Sequence, residues 1–205
     1  MILVQLNKED FEYDIHSLVK AFYPSENVSV CVNPKEDSEQ ILLRIAVKYE
    51  PNHIRIAIEK QEYGLAEKVF TVDDNNRKQT KNLLKQNLYE ILSAYTGKTL
   101  PWGTLTGIRP TKIPMKMLEE GKSKNEIALY MEQTYSASKE KIALSMEIAQ
   151  RELQLLQRLD VQNGYSLYIG IPFCPSTCLY CSFTSYPISK WKQQIDAYLD
   201  ALEKE

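Results

Sequence analysis

The sequence predicts an α+β domain at its N-terminus, then a helical segment, then one βα unit. Three observations lead there. Five short segments before residue 73 alternate apolar with polar residues or are β-branched, and two helical stripes accompany them. After Gly97 the composition shifts to Gly, Pro and Thr and then to long helical periodicity. Near the C-terminus an apolar run, a cysteine-rich loop and an amphipathic stretch follow one another.

"MILVQL" reads as the opening strand, and Asp10 is expected to cap a helix carrying Phe11, Ile15, Leu18 and Phe22. "NVSVCVN", "QILLRIAVKY", "HIRIAIEK" and "EKVFTV" read as strands bounded by turn residues. Asp73 and Asp74 precede a long helix with Leu84, Leu88, Ile91, Leu92 and Tyr95 on one stripe, stopped near Gly97. Residues 1–97 are therefore expected to form a small sheet covered by two helices. From Gly97, "GKTLPWGTLTGIRPTKIP" reads as an ordered loop, and residues 98–161 continue from it as two helices. Ser123 with Glu126 predicts a capping box for the first, and Ser138 starts the second, with Ile142, Met146, Ala149, Leu153 and Leu156 along it. Residues 162–205 read as strand ("NGYSLYIGI"), loop, then helix ("SKWKQQIDAYLDALEKE"). A lone βα unit cannot bury its own apolar surface and needs neighbours.

The bulk numbers narrow the classes. With 43% hydrophobic and 25% charged residues and a net charge of −2, the 205-residue chain resembles an ordinary globular protein. No apolar stretch is long enough for a bilayer, and the N-terminal one is too short for a secretory signal. The chain reads as cytoplasmic, with no membrane partner and no global signature of nucleic-acid binding.

Three of the four cysteines, Cys174, Cys178 and Cys181, fall within eight positions, whereas Cys31 stands alone in a strand and reads as inert. A structural zinc wants four ligands, and the fourth cysteine and both histidines lie over a hundred residues upstream. A disulfide leaves one thiol over and suits an oxidising compartment. Cys-x2-Cys redox chemistry leaves Cys174 without a role. The fourth account is an iron–sulfur cluster on three thiolates, with one iron free of protein ligands. The Cys-x3-Cys-x2-Cys spacing lets one short loop reach three corners of a cubane, and Pro172 and Pro175 stiffen it.

This motif, with aromatic Tyr180 before its third cysteine, resembles that of the radical S-adenosylmethionine enzymes. "YIGIPFCP" is similar to the oxygen-independent coproporphyrinogen III oxidase branch, and together with "PWGTLTGIRPTK" it resembles the HemZ-type members of that branch. The resemblance implies that Cys174, Cys178 and Cys181 ligate a [4Fe-4S] cluster whose open iron chelates S-adenosyl-L-methionine. It implies that a 5′-deoxyadenosyl radical abstracts hydrogen from a tetrapyrrole substrate, in haem biosynthesis. It implies cofactor-contacting roles for Tyr168 and Tyr180, and a reductant such as flavodoxin or ferredoxin. On this reading residues 162–205 are the first βα unit of an incomplete radical SAM (β/α) barrel. Such barrels need on the order of 200 or more residues. The chain is therefore expected to be the catalytically incomplete N-terminal part of a longer protein.

Two positions depart from the oxidase pattern: Gly170 stands where those enzymes place a histidine, and Phe183 where they place a fourth cysteine. A haem-binding or trafficking protein of the same superfamily is therefore the alternative, and an RNA- or protein-binding adaptor on a radical enzyme with another substrate is a further one. Upstream, Arg77, Lys81 and Lys85, with Lys78 alongside, form a basic stripe that an anionic surface such as RNA or a carboxylated tetrapyrrole could use, and that reads instead as a solvated helix face. Lys98, Trp102, Arg109 and Lys112 mark the Gly/Pro loop; guanidinium and indole together suit an acidic planar ligand, but the loop reads as one that docks the N-terminal domain onto the barrel.

Overall fold

Alternation along the N-terminal strands becomes a five-stranded mixed sheet of β1 (Ile2–Leu6), β2 (Val28–Val32), β3 (Leu43–Glu50), β4 (His53–Glu59) and β5 (Leu65–Thr71), in the order β2-β1-β3-β4-β5. The computed structural model describes residues 1–32, 41–59, 65–160 and 163–205. The outer ends of three expected strands, at Asn33, Gln40 and Lys60, lie outside the described residues. β1 runs parallel to β2 and β3, and β3, β4 and β5 are antiparallel. The register aligns Val30, Val4, Ile45, Ile58 and Ala66 in one row across the sheet. Because side chains alternate between faces, one face collects this row together with Ile2, Leu43, Val47 and Ile56. The opposite face carries Arg44, Ala46, Lys48, Arg55 and Ala57.

Two helices cover the apolar face, as expected. α1 (Glu12–Phe22) buries Ile15, Leu18, Val19 and Phe22, and α2 (Arg77–Thr96) buries Leu84, Leu88, Ile91 and Leu92. Each such fully buried aliphatic side chain contributes about 1.5–3 kcal/mol relative to exposure. Asn76 caps α2, its Oδ1 accepting from the Gln79 N–H at 3.1 Å, and Gly97 closes it at φ 68°. The cap expected at Asp10 is not formed. Residue 11 is the N-cap of α1, a phenylalanine at φ 56° with no side-chain cap bond. The Asp10 carboxylate is instead held by Lys8 at 2.6 Å and Arg77 at 2.7 Å. Two cations outcompete the helix N-terminus for it.

The segment after Gly97 packs around a second, smaller core of Ile127, Met131, Ala137 and Ile142. α4 (Lys124–Tyr135) has the expected capping box at Ser123 and Glu126, and α5 (Lys139–Leu156) the expected cap at Ser138. A third helix, α3 (Lys112–Glu119), occupies part of what reads as loop. Pro110 and Pro114 argue against a helix, but Pro114 sits in the first turn, where the backbone N–H has no intrahelical partner to lose. The preceding loop is ordered by close backbone contact. A Cβ at Gly103 (φ +56°) would lie 1.9 Å from the Tyr135 carbonyl oxygen, and the Thr104 N–H donates to that oxygen at 2.7 Å. Within this unit the loop packs against the end of α4. Sheet, loop and helices form one compact unit, Met1–Arg158.

The second compact unit is Leu159–Glu205. β6 (Phe173–Cys174) pairs in parallel with β7 (Tyr186–Pro187), followed by α6 (Ile188–Trp191), a 3₁₀ turn at Lys192–Gln194 and α7 (Ile195–Lys204). None of its described residues is buried. The strand expected over "NGYSLYIGI" is not formed: residues 165–172 have no ladder partner and only Phe173 and Cys174 pair. A run with apolar side chains on both faces is stable as a strand only between neighbours. The two-residue β7 is the sole partner among the described residues of this unit. The expected C-terminal helix forms in pieces, its first turns interrupted by the 3₁₀ segment.

Candidate functional site

Cys174 closes β6 and is half-buried, Cys178 is exposed, and Cys181 is half-buried. All three thiols are free, and a turn links the last two, the Cys181 N–H donating to the Cys178 carbonyl at 3.0 Å. Among the described residues, no three His, Cys, Asp or Glu side chains come together as a metal-binding group. The thiols share a loop without converging on a point. Their chemistry nevertheless fits a cluster: three soft sulfur donors, none spent in a disulfide.

Local contacts steady the loop's approach. Tyr198 of α7 donates its hydroxyl to the Gly170 carbonyl, and its ring meets Phe173 edge-on at 5.4 Å. The Tyr186 N–H donates to the Pro172 carbonyl at 2.7 Å. The backbone ahead of Cys174 is thereby tied to the helix and strand that follow it. Tyr168 and Tyr180 are 83% and 91% exposed, so their rings are available to a ligand, and neither packs against the thiols' loop as core. Tyr198 escaped the sequence reading as a site residue, being one of several apolar positions along its helix.

The upstream residues fare differently. Cys31 is partly buried, its Sγ 3.7 Å from the Val4 carbonyl, and burial pushes its thiol pKa up, which suits an unreactive cysteine. The basic stripe on α2 is not simply solvated. Arg77 stacks on Phe11 at 4.5 Å and pairs with Asp10. Lys85 is buried, its Nζ donating to Thr106 Oγ1 at 3.0 Å and facing Asp14 at 3.6 Å. Desolvation pulls the Lys85 pKa down, opposed by Asp14. In the loop, Lys98 lies over the Tyr23 ring, Trp102 under Lys141, and Arg109 faces Glu152 at 3.6 Å. Lys112 opens α3. The lysine–threonine contact links segments 21 residues apart, and no local pattern in the sequence announces it.

No family model matches the chain. HemZ of Bacillus subtilis (strain 168), an oxygen-independent coproporphyrinogen-III oxidase-like protein, is 35% identical over 177 residues, covering 83% of this chain and 35% of that protein. This chain is related to the HemZ-type proteins. It spans about a third of HemZ's length. A shorter stretch of 40 residues is 52% identical to the heme chaperone HemW of the same organism, over 20% of this chain and 10% of HemW. Among solved structures, protein VC0702 from Vibrio cholerae overlaps 48% of this chain and 75% of its own at 10% identity, with a TM-score of 0.23, too slight a likeness to bear on the fold. No helix among the described residues is long and apolar enough to cross a membrane.

Proposed function

We propose that this HemZ-related chain carries the cluster loop and the accessory region of a radical S-adenosylmethionine protein of haem biosynthesis, acting in oxygen-independent oxidative decarboxylation of a coproporphyrinogen-like substrate. The observation that carries the reading is the Cys174-x3-Cys178-x2-Cys181 loop with all three thiols free. Cys174, Cys178 and Cys181 would hold a [4Fe-4S] cluster, leaving one iron for the amino and carboxylate groups of S-adenosylmethionine. When bound, the pair supplies one-electron cleavage of a sulfonium and hydrogen-atom abstraction from substrate, chemistry that belongs to the cofactor.

The chain's own residues bind and orient. Tyr168 and Tyr180 offer exposed ring faces to the nucleotide, and a cationic sulfonium is attracted to such a face. Tyr198 fixes the Gly170 carbonyl and with it the entry of the chain into the thiol loop. Residues 162–205 would start the catalytic barrel, with 1–97 as an accessory domain and 98–161 as the connector. The electron would come from a small reductant protein such as flavodoxin or ferredoxin.

Anaerobic reconstitution of the intact protein with iron and sulfide tests the ligand set, and Mössbauer spectra with metal analysis are expected to report a four-iron cluster. Uptake of zinc in preference to iron overturns it. The intact protein, given coproporphyrinogen III, S-adenosylmethionine and a reductant without oxygen, is expected to yield a divinyl product, whereas the 205-residue chain alone is expected not to turn over. A second reading is favoured by the HemW match and by Phe183 in place of a fourth cysteine. On that reading the intact protein binds haem stoichiometrically and leaves coproporphyrinogen unchanged.

A further inference from the structure

Of the charged concave sites in the unit Met1–Arg158, one sets Lys48 and Arg55 against Glu50, Glu59 and Glu67 and is net negative, and two others differ in what their cations are doing. The larger, about 460 Å3, holds Lys8, Asp10, Phe11, Tyr49, Glu50 and Arg77 among its walls. Its two cations are both spent on Asp10, and Glu50 and Asp74 leave the lining net negative. An anion has no reason to enter it. The smaller, about 130 Å3, lies between α2 and the Gly/Pro loop, and here Lys78, Lys81 and Lys85 face a single carboxylate, Asp14.

Those three lysines stand at i, i+3 and i+7 on α2, so they share one face over two turns. Lys85 is the built part of the site: it is buried, with one donor on Thr106 Oγ1 and Asp14 at 3.6 Å, beyond a strong hydrogen bond. An ammonium has three donors and no acceptor, so donor capacity remains. Thr106, having accepted from Lys85, keeps its own hydroxyl proton to give. Asn82 and Thr104 add polar groups to the wall. A pocket holding three ammonium groups against one carboxylate calls for an anion bearing about two charges.

The chemistry of the cations selects the anion. Lysine binds phosphate as a point charge without the planar fork of arginine, and a phosphate monoester at neutral pH supplies close to the two negative charges this pocket lacks, where a single carboxylate supplies one. No arginine is among the described residues of this lining. We infer that the pocket between α2 and the 104–108 loop binds the phosphate group of a small phosphate monoester. This gives the "PWGTLTGIRPTK" segment a role beyond packing: Gly103 brings the loop close to the end of α4, and the threonines that follow it line the lysine face. The site involves none of the three clustered cysteines, so it stands apart from the cluster reading.

The 205-residue chain can be titrated at low ionic strength with inorganic phosphate, glycerol 3-phosphate, acetate and a single-stranded oligoribonucleotide, followed by calorimetry and phosphorus NMR. Saturable one-to-one binding of phosphate and the monoester is expected, with acetate weaker. Lys81→Gln is expected to weaken phosphate about tenfold, the loss of one charge-assisted hydrogen bond. Lys8→Gln, in the larger cleft, is expected to leave it unchanged. Lys85→Gln removes the buried donor, and if that variant fails to fold, Lys78→Gln combined with Lys81→Gln decides. Absence of saturation, acetate binding as tightly as phosphate, phosphate binding undiminished in the lysine variants, or oligoribonucleotide binding without any response to phosphate would each overturn the inference.

Discussion

The two units use apolar residues in opposite ways. In Met1–Arg158, Ile45, Ile56, Leu84 and Leu88 are fully buried between sheet and helices. In Leu159–Glu205, Tyr165, Leu167 and Ile171 are 90%, 74% and 66% exposed. The first unit closes a core from its own residues, and the second carries the cysteine loop on a backbone with no buried residue among those described. Local hydrogen bonds from Tyr198 and Tyr186 can order a loop without a core beneath it. Stability and site chemistry should therefore separate on mutation.

The cysteines give the sharpest contrast. Alanine at Cys174, Cys178 or Cys181 is expected to abolish iron and sulfide uptake while leaving the thermal transition of the first unit in place. Cys31→Ala should leave iron uptake intact. Loss of the transition in a Cys178→Ala protein would break the separation.

Next come the cores. Ile56→Ala or Leu88→Ala is expected to destabilise the first unit by about 2–5 kcal/mol in urea titrations, because each leaves a cavity in a closed core. Leu167→Ala should stay within about 0.5 kcal/mol, the range of an exposed site. A large effect at Leu167 would mean that the second unit has a core of its own.

Backbone approach ranks third. Gly103→Ala combines a left-handed φ with a collision against the Tyr135 carbonyl, and is expected to cost more than Gly97→Ala. The latter has open space and carries only the conformational penalty, about 1–2 kcal/mol. Ser138→Ala, which deprives α5 of its cap, should cost about 1 kcal/mol.

The smallest effect is electrostatic. Arg77 and Lys8 hold the Asp10 carboxyl below its ordinary value of 3.8. The unfolded chain therefore binds that proton first as pH falls. The stability it contributes is present above pH 3.8 and is lost as pH drops through the lower folded value. Asp10→Asn is expected to flatten this part of the acid limb in pH-dependent melts. An unchanged limb would show that the pair with Arg77 is too solvated to matter.

What could be read from the chain follows the same division. All five strands of the first unit were legible because one buried face imposes a two-residue period, and the Ser123 and Ser138 caps because they are local. Asp10 misled because its partners, Lys8 on one side and Arg77 far along the chain, decide its role. α3 was hidden by Pro110, which precedes its N-cap, and by Pro114, whose position in the first turn makes it harmless. Residues 165–171 carry a strand's composition, but strand formation depends on an adjacent chain, and composition alone cannot supply one. The cysteine spacing was the most legible feature of all, since one loop contains it entirely. The Lys85–Thr106 contact was the least, for it joins segments that only the fold brings together.

The order of the sheet has one more consequence. β1 lies between β2 and β3 and precedes both along the chain, so the first strand of this sheet to be made is flanked on each side by strands made afterwards. Non-local pairings of this kind form slowly and leave bare edges in the meantime. During synthesis Ile2, Val4 and Leu6 stay without their β3 partner until Leu43–Glu50 emerges, which makes nascent β1 a natural client for a chaperone that holds short apolar peptides.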